Sequence, residues 1–83
     1  MKFEYSLHAL ERMKARGIST EDVKEVLDNF DIKESQDFTI TVFSKIMEKN
    51  NKLYLYRVFV NEAIQPSVVI TVYRTTKIEK YGR

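Results

Sequence analysis

A histidine and two arginines recur at intervals of four residues near the start of the sequence. His8, Arg12 and Arg16 lie in the stretch SLHALERMKARGIS, residues 6–19, and His8 is the single histidine of the chain. Residues four apart lie on one side of a helix, so these side chains would form one stripe. Imidazole can transfer protons near neutral pH, and guanidinium groups bind phosphate oxygens in pairs. The stripe is therefore a candidate active site or nucleic-acid contact, with solvated surface and packing as the structural alternatives.

A second group of candidate residues lies on the apolar segments of the C-terminal half. Arg57 lies among the apolar residues of 53–60, where a guanidinium could neutralise charge that builds up on a phosphate. Tyr73 could stack on a nucleic-acid base, and it could equally be a core or cross-strand residue. Three polar side chains follow within four residues and could bind a phosphate backbone, namely Arg74, Thr75 and Lys77.

Capping residues and apolar spacing predict two helices that would position the first group. Ser6 is a candidate N-cap and Gly17 a candidate C-terminal stop, which predicts a first helix over residues 7–16. Ser19 and Asp22 form the pattern of a capping box, which predicts a second helix over residues 20–29. The joint between the two is very short, so we expect a helical hairpin.

Alternating patterns predict strands in the rest of the chain. The segments 39–47, 53–60 and 68–75 are rich in β-formers, while 1–5 and 32–35 could form a lead-in strand and an edge strand. Consecutive strands with short connections pair antiparallel. The predicted fold class is α+β, with an N-terminal helical hairpin packed on a three- to four-stranded antiparallel sheet in a single domain, 1–83. Segment 53–60 is apolar on both faces, and a partner chain could cover the second face.

Composition excludes several classes of site. The chain has no cysteine, which excludes disulfides and thiolate metal sites, and with one histidine we expect no metal and no cofactor. The net charge is only +2, with acidic residues concentrated in 28–37 and basic residues in 74–83. This asymmetry could guide a phosphate backbone or could be solvated surface charge. No apolar run approaches the roughly 18 residues that a membrane span needs, and no signal peptide is evident, so we expect a cytoplasmic protein.

Two motifs carry a resemblance to a known family. The pattern S-x-H-A-x-x-R-M-x-x-R-G-I-S runs from Ser6 to Ser19, and V-I-T-V-Y-x-T-x-K runs from Val69 to Lys77. In these motifs the chain resembles a widespread family of small uncharacterised bacterial and archaeal proteins. That family is similar in size and in order of elements to toxins of the RelE and BrnT kind, which implies a RelE-like fold.

The resemblance implies a toxin of a type II toxin–antitoxin system. Such a toxin would be a metal-free endoribonuclease in which a 2′-hydroxyl of mRNA attacks the adjacent phosphate. Its partners would be RNA, including mRNA on the ribosome, and a cognate antitoxin protein. The residues expected to be catalytic are His8, Arg12 and Arg57, and those expected to bind RNA are Arg16, Tyr73, Arg74, Thr75 and Lys77. The alternative function is a non-catalytic module, either a homodimer or a regulatory protein that binds a partner.

Overall fold

The computed structural model describes residues 2–78, which form two helices and one five-stranded sheet. The helices are α1 (Leu7–Arg16) and α2 (Thr20–Asp28), and the strands are β1 (Phe3–Tyr5), β2 (Ile32–Ser35), β3 (Ile40–Lys49), β4 (Lys52–Asn61) and β5 (Ser67–Thr75). The α+β class is confirmed, and both helices and all predicted strands are present. No helix in this part of the chain has the length and apolar composition that crossing a bilayer requires.

Local capping chemistry sets the ends of α1. The Ser6 side chain accepts a hydrogen bond from the backbone N–H of Ala9 at 3.0 Å, which satisfies one of the otherwise unpaired donors at the helix start. Gly17 follows the last helical residue with a φ of 67°, a left-handed conformation that costs glycine little. The predicted bounds of residues 7–16 are confirmed.

A capping box starts α2. The Ser19 hydroxyl accepts from the Asp22 backbone N–H at 3.0 Å, and the Asp22 carboxylate accepts from the Ser19 backbone N–H at 3.2 Å. The Asp22 carboxylate also pairs with the Lys49 ammonium at 2.7 Å. Burial by itself raises the pKa of Asp22, but the hydrogen bonds from Lys49 and Ser19 outweigh it and hold that pKa below its usual value.

The sheet differs from the prediction in strand number and direction. Its order is β1-β5-β4-β3-β2, and the pairs among β2 to β5 are antiparallel as predicted. β1 adds a fifth strand that runs parallel to β5 and pairs over Phe3–Tyr5. The rule for short connections does not apply to β1, because it is separated from β5 by the rest of the domain. The backbone N–H of Ser6 donates to the Val69 carbonyl at 2.9 Å and continues this contact into the start of α1.

Both helices pack on one face of the sheet, the helix side. Its core contains Phe43, Tyr56, Val58 and Val72 from the central strands together with residues of both helices. Complete burial of each large apolar side chain contributes roughly 1.5–3 kcal/mol to stability. α1 packs mainly on β5, and α2 packs on β3 and β4.

The buried side of α1 differs from the one that its apolar residues suggest. Ala9 and Met13 are buried, but Leu7 is 72% exposed and Leu10 is 45% exposed. A spacing of three residues would put Leu7, Leu10 and Met13 on one buried side, but only Met13 of the three is buried. Ala9 has a small side chain, so its side of the helix can approach β5 closely, whereas the leucines lie on the outward side.

The opposite face of the sheet, here called the open face, has no helix over it within residues 2–78. Its side chains lie in three rows, with Val42, Ser44 and Ile46 on β3, Leu53, Leu55, Arg57 and Phe59 on β4, and Thr71, Tyr73 and Thr75 on β5. An irregularity between Phe59 and Val60 shifts the β4–β5 register, but it lies beyond Tyr73 and leaves these rows intact. Because neighbouring residues of a strand alternate, Tyr73 lies on the open face and Arg74 on the helix side.

Candidate functional site

Arg57 lies at the centre of the open face and is held by both neighbouring strands. Its Nη1 donates to the Tyr73 hydroxyl at 2.9 Å, and its Nε donates to the Ser44 hydroxyl at 3.4 Å. These contacts follow from the strand register, because Arg57 is directly opposite Ser44 on β3 and Tyr73 on β5. The Arg57 side chain is only 18% exposed, so its charge is fixed in place and partly removed from water.

Two aromatic rings border the Arg57 guanidinium. The ring centroids of Phe59 and Tyr73 lie 5.6 Å and 5.9 Å from the guanidinium carbon, within the range of cation–π attraction. The two rings are 6.0 Å apart and are inclined by 31°. A cation beside two aromatic rings on a sheet face is an arrangement that suits a phosphate with its attached base.

A carboxylate completes the group of polar side chains. Glu34 Oε1 lies 3.9 Å from Arg57 Nη2, and the Glu34 side chain is 56% exposed. An ion pair this long and this exposed contributes little to stability, about 1 kcal/mol at most. A carboxylate can accept a proton, a guanidinium can neutralise a phosphate, and a tyrosine hydroxyl can donate a proton. We call Glu34, Ser44, Arg57, Phe59 and Tyr73 the Arg57 cluster.

The predicted helical stripe lies apart from the Arg57 cluster. His8, Arg12 and Arg16 are exposed on α1, and α1 packs on the helix side of β5. Arg57 is on the opposite face, so the stripe and Arg57, which the resemblance groups as catalytic residues, do not lie on one surface. Within residues 2–78, none of the three stripe side chains makes a hydrogen bond or an ion pair. The stripe is solvated helix surface in this structure.

The predicted RNA-binding residues are divided between the two faces. Tyr73 and Thr75 lie on the open face with Arg57, whereas Arg74 lies on the helix side, where its Nη1 donates to the Tyr56 hydroxyl at 3.0 Å. Lys77 is exposed beyond the end of β5, and its backbone N–H donates to the Thr75 hydroxyl at 3.1 Å. The open face therefore contains Arg57, which was expected to be catalytic, together with Tyr73 and Thr75, which were expected to bind RNA.

Three members of the Arg57 cluster were not among the predicted site residues. Ser44 and Phe59 lie on predicted strands, and Glu34 lies on the predicted edge strand. The alternation of β4 placed Phe59 on the same face as Arg57, which was a usable signal. Predicting Glu34 and Ser44 would have required two strand registers. Glu34 of β2 is opposite Val42 of β3, and Ser44 of β3 is opposite Arg57 of β4.

No set of three or more acidic, histidine or cysteine side chains in residues 2–78 is arranged to hold a metal ion.

Comparison with known protein families gives one match. A family described as "Domain of unknown function (DUF4258)" matches residues 5–74, which is most of the chain. The chain belongs to the DUF4258 family. The DUF4258 match begins at the last residue of β1, contains the whole Arg57 cluster and ends at Arg74, before Thr75 and Lys77. Searches of curated proteins and of solved structures each gave no match.

Proposed function

We propose that this protein is a metal-free endoribonuclease of the toxin–antitoxin type, similar to RelE and BrnT toxins, with its active site on the open face. One observation carries the proposal. A partly buried guanidinium, Arg57, is fixed by Tyr73 and Ser44 beside the carboxylate of Glu34. These are the three kinds of group that metal-free cleavage of RNA needs, namely a phosphate binder, a proton acceptor and a proton donor.

The proposed reaction assigns one role to each polar group. Glu34 accepts the proton of the 2′-hydroxyl as its oxygen attacks the adjacent phosphorus. Arg57 stabilises the negative charge on the pentacoordinate phosphate. The bond from phosphorus to the 5′-oxygen then breaks, and the Tyr73 hydroxyl supplies the proton that this oxygen gains. Because Tyr73 accepts a hydrogen bond from Arg57, its own hydrogen can be directed at a further acceptor. The products are a 2′,3′-cyclic phosphate and a 5′-hydroxyl.

In this proposal the aromatic rings of Phe59 and Tyr73 bind the bases of the RNA. Phe59 is partly buried beside Arg57, and its ring lies 6.0 Å from that of Tyr73 at an inclination of 31°. Stacking of one base on such a ring contributes roughly 1–3 kcal/mol and tolerates any base. We therefore expect single-stranded RNA to be the substrate, since bases within a duplex are stacked on each other and cannot reach a flat sheet face.

The direct test is cleavage of a labelled single-stranded RNA by the purified protein in the presence of EDTA, with and without ribosomes. We expect fragments ending in 2′,3′-cyclic phosphate, and no cleavage at a position that carries a 2′-deoxy sugar. Arg57→Gln should lower the rate by about 10²–10³-fold, the usual effect of removing one transition-state donor. Arg57→Lys keeps the positive charge but loses the paired N–H donors of the guanidinium, so its cleavage rate should lie between those of the wild type and Arg57→Gln.

Lys14→Gln is the matched control, because Lys14 is an exposed cation on α1, away from the open face. It should cleave at the wild-type rate. Intact RNA under all conditions, with expression that does not slow growth, would refute the proposal. If instead His8→Ala and Arg12→Gln abolished cleavage while Arg57→Gln kept it, the site would lie on α1 and the open face would be excluded.

A second candidate function, a non-catalytic dimer or regulatory binding module, is favoured by a different observation. Ile46 and Leu53 lie on the open face and are 38% and 55% exposed, although Leu55 beside them is buried. Neighbouring exposed apolar side chains on a sheet suit a protein contact. Sedimentation at micromolar concentration separates the candidates. A dimer that Leu53→Lys dissociates, in a protein that does not cleave RNA, supports this function, whereas a monomer without a co-purifying partner counts against it.

A further inference from the structure

The outer edge of β1 is unpaired in the described part of the chain. β1 lies at the end of the sheet and pairs only with β5. The backbone N–H of Ser6 points toward β5, where it donates to the Val69 carbonyl at 2.9 Å. Backbone groups of alternate residues point to alternate sides of a strand, so those of Phe3 and Tyr5 point outward. No strand or side chain of residues 2–78 bonds to these outward groups.

A groove beside this edge leaves room for a further strand. It has a volume of about 530 Å³ and is lined by Lys2–Tyr5 together with Thr20, Lys24 and Pro66. At the other side of the sheet, where β3 extends past β2, the Asp31 carboxylate accepts a hydrogen bond from the Ile46 backbone N–H at 3.0 Å. That contact blocks the addition of a strand to β3, whereas the described contacts include no such block at β1.

The charges of β1 make its edge complementary to itself. Lys2 and Glu4 flank Phe3, are exposed, and form no ion pair within residues 2–78. When two copies pair antiparallel about Phe3, Lys2 of each copy lies opposite Glu4 of the other, on one face of the sheet. The two Phe3 residues then exchange both backbone hydrogen bonds. The flanking pairs are of the non-hydrogen-bonded kind, in which opposite side chains are closest.

The outer edge of β2 lacks this match. Antiparallel pairing about Lys33 would place Ile32 opposite Glu34, and pairing about Glu34 would place two carboxylates side by side. Pairing of β1 about Glu4 would also oppose two carboxylates, which is unfavourable. The charges therefore favour β1 over β2 as the contact, with Phe3 at its centre.

We propose that the edge of β1 joins two copies of this chain in a symmetric dimer, in which the two five-stranded sheets become one continuous sheet. The twofold axis is perpendicular to the sheet, so both open faces lie on the same side. The contact is separate from the exposed Ile46 and Leu53 of the open face, so it depends on neither of the functions proposed above. A short edge gives a small interface, and we expect a dissociation constant in the micromolar range.

The test is sedimentation velocity of the full chain without an N-terminal tag, at total concentrations from about 5 to about 500 µM. The wild type should pass from monomer to dimer over this range. Lys2→Glu and Glu4→Lys should each weaken association at least tenfold, because each replaces two attractive cross-strand pairs by two repulsive ones. Lys52→Glu is the control, since Lys52 is an exposed cation at the start of β4, and it should associate as the wild type does.

A mixture of the two single variants gives the decisive result. One chain then carries two negative charges on β1 and the other carries two positive charges, so every cross-strand pair between them is attractive. Equal amounts of Lys2→Glu and Glu4→Lys should therefore form a heterodimer as stable as the wild-type dimer, although neither variant associates well alone. The double variant Lys2→Glu/Glu4→Lys exchanges the charges within one chain and should associate with itself as the wild type does.

Three results would overturn the proposal. The first is a wild type that stays monomeric at every concentration. The second is a dimer that both single variants leave intact, above all one that Leu53→Lys dissociates, since the copies would then meet through their open faces. The third is loss of association in both single variants without recovery in the mixture or in the double variant, which would exclude pairing of Lys2 with Glu4.

Discussion

The guanidinium groups of Arg57 and Arg74 both lie beside aromatic rings, but their hydrogen-bond and ionic partners differ. Arg57 donates to Tyr73 and Ser44 and lies near the Glu34 carboxylate. Arg74 donates to Tyr56 and lies over the Tyr54 ring, with no carboxylate of residues 2–78 in an ion pair with it. The Arg57 environment contains a carboxylate that can accept a proton, which suits chemistry. This carboxylate is the basis for assigning cleavage to the open face.

Glu34 provides the first prediction at the residue scale. If its carboxylate accepts the 2′-hydroxyl proton, Glu34→Gln should lower the cleavage rate by about 10²–10⁴-fold, the usual contribution of a general base. RNA binding should change little, because the ion pair with Arg57 is long and exposed. Rates at saturating RNA provide the measurement. The matched control is Glu48→Gln, an exposed glutamate at the other end of β3, and equal losses in both variants would contradict the assignment.

Tyr73 provides the second prediction, which separates its hydroxyl from its ring. Tyr73→Phe removes the acceptor for Arg57 Nη1 but keeps the ring beside Phe59. We expect at least a tenfold lower cleavage rate with nearly unchanged RNA affinity, whereas Tyr73→Ala should weaken both. Single-turnover kinetics over a range of RNA concentrations gives the two quantities separately. A Tyr73→Phe variant as fast as the wild type would exclude the hydroxyl from the reaction.

At the scale of elements, the start of the helical hairpin is positioned by a short-range cap and by a side-chain contact of the same residue, Ser6, with the sheet. The Ser6 hydroxyl accepts from the Ala9 N–H at 3.0 Å and also donates to the Ile70 carbonyl at 3.1 Å. One side chain therefore starts α1 and ties its first turn to β5. Gly17 then ends the helix beside the Arg74 side chain of β5.

Ser6→Ala tests this account of the hairpin. Loss of the cap and of the bond to Ile70 should lower the free energy of unfolding by about 1–2 kcal/mol. Urea denaturation followed by circular dichroism measures the change. Thr20→Ala is the control, because Thr20 is exposed in the first turn of α2 and its hydroxyl bonds only to exposed Glu21 in the described contacts, so the change should stay within about 0.5 kcal/mol. Equal losses of unfolding free energy in both variants would show that the Ser6 hydroxyl stabilises the protein no more than an exposed hydroxyl does.

The elements also show what a sequence can and cannot reveal. The bounds of α1 and the capping box of α2 were predicted because the deciding hydrogen bonds join residues three apart. The parallel pairing of β1 with β5 was missed because it joins residues more than sixty positions apart. The location of His8 and Arg12 relative to Arg57 was missed for another reason. Both faces of β4 are apolar in sequence, so the pattern does not say which face the helices cover.

At the scale of the whole molecule, charges of opposite sign lie in different regions. The acidic side chains Asp28, Asp31, Glu34 and Asp37 are exposed around β2, while Arg12 and Arg16 are exposed on α1. Within residues 2–78, two ion pairs join the layers. Lys49 at the end of β3 binds the Asp22 carboxylate of α2 at 2.7 Å, and Lys45 of β3 lies 4.0 Å from the Glu25 carboxylate of α2. The shorter pair, with Asp22, makes the attachment of the helices to the sheet sensitive to acid.

The Asp22 pair predicts the direction of the pH dependence of stability. Because the folded state lowers the Asp22 pKa, its contribution is present above the pKa of the unfolded chain, about 3.9, and is lost as the pH falls through the folded value. Asp22→Asn should cost about 1–2 kcal/mol at pH 7 and much less at pH 3. Urea denaturation at both pH values tests this. An equal difference at pH 7 and pH 3 would contradict the account.

The central claim is that the open face, rather than the basic stripe of α1, contacts RNA. Photo-crosslinking of a single-stranded RNA containing 4-thiouridine, followed by trypsin digestion and mass spectrometry, tests it most directly. One tryptic peptide, residues 58–74, contains both Phe59 and Tyr73, and another, residues 3–12, contains His8. We predict that the crosslink lies in peptide 58–74, at Phe59 or Tyr73. We also predict that the crosslink is lost in Arg57→Gln, where the corresponding tryptic peptide is residues 53–74 because the cleavage site after residue 57 is removed. A crosslink confined to peptide 3–12 and unaffected by Arg57→Gln would contradict the claim.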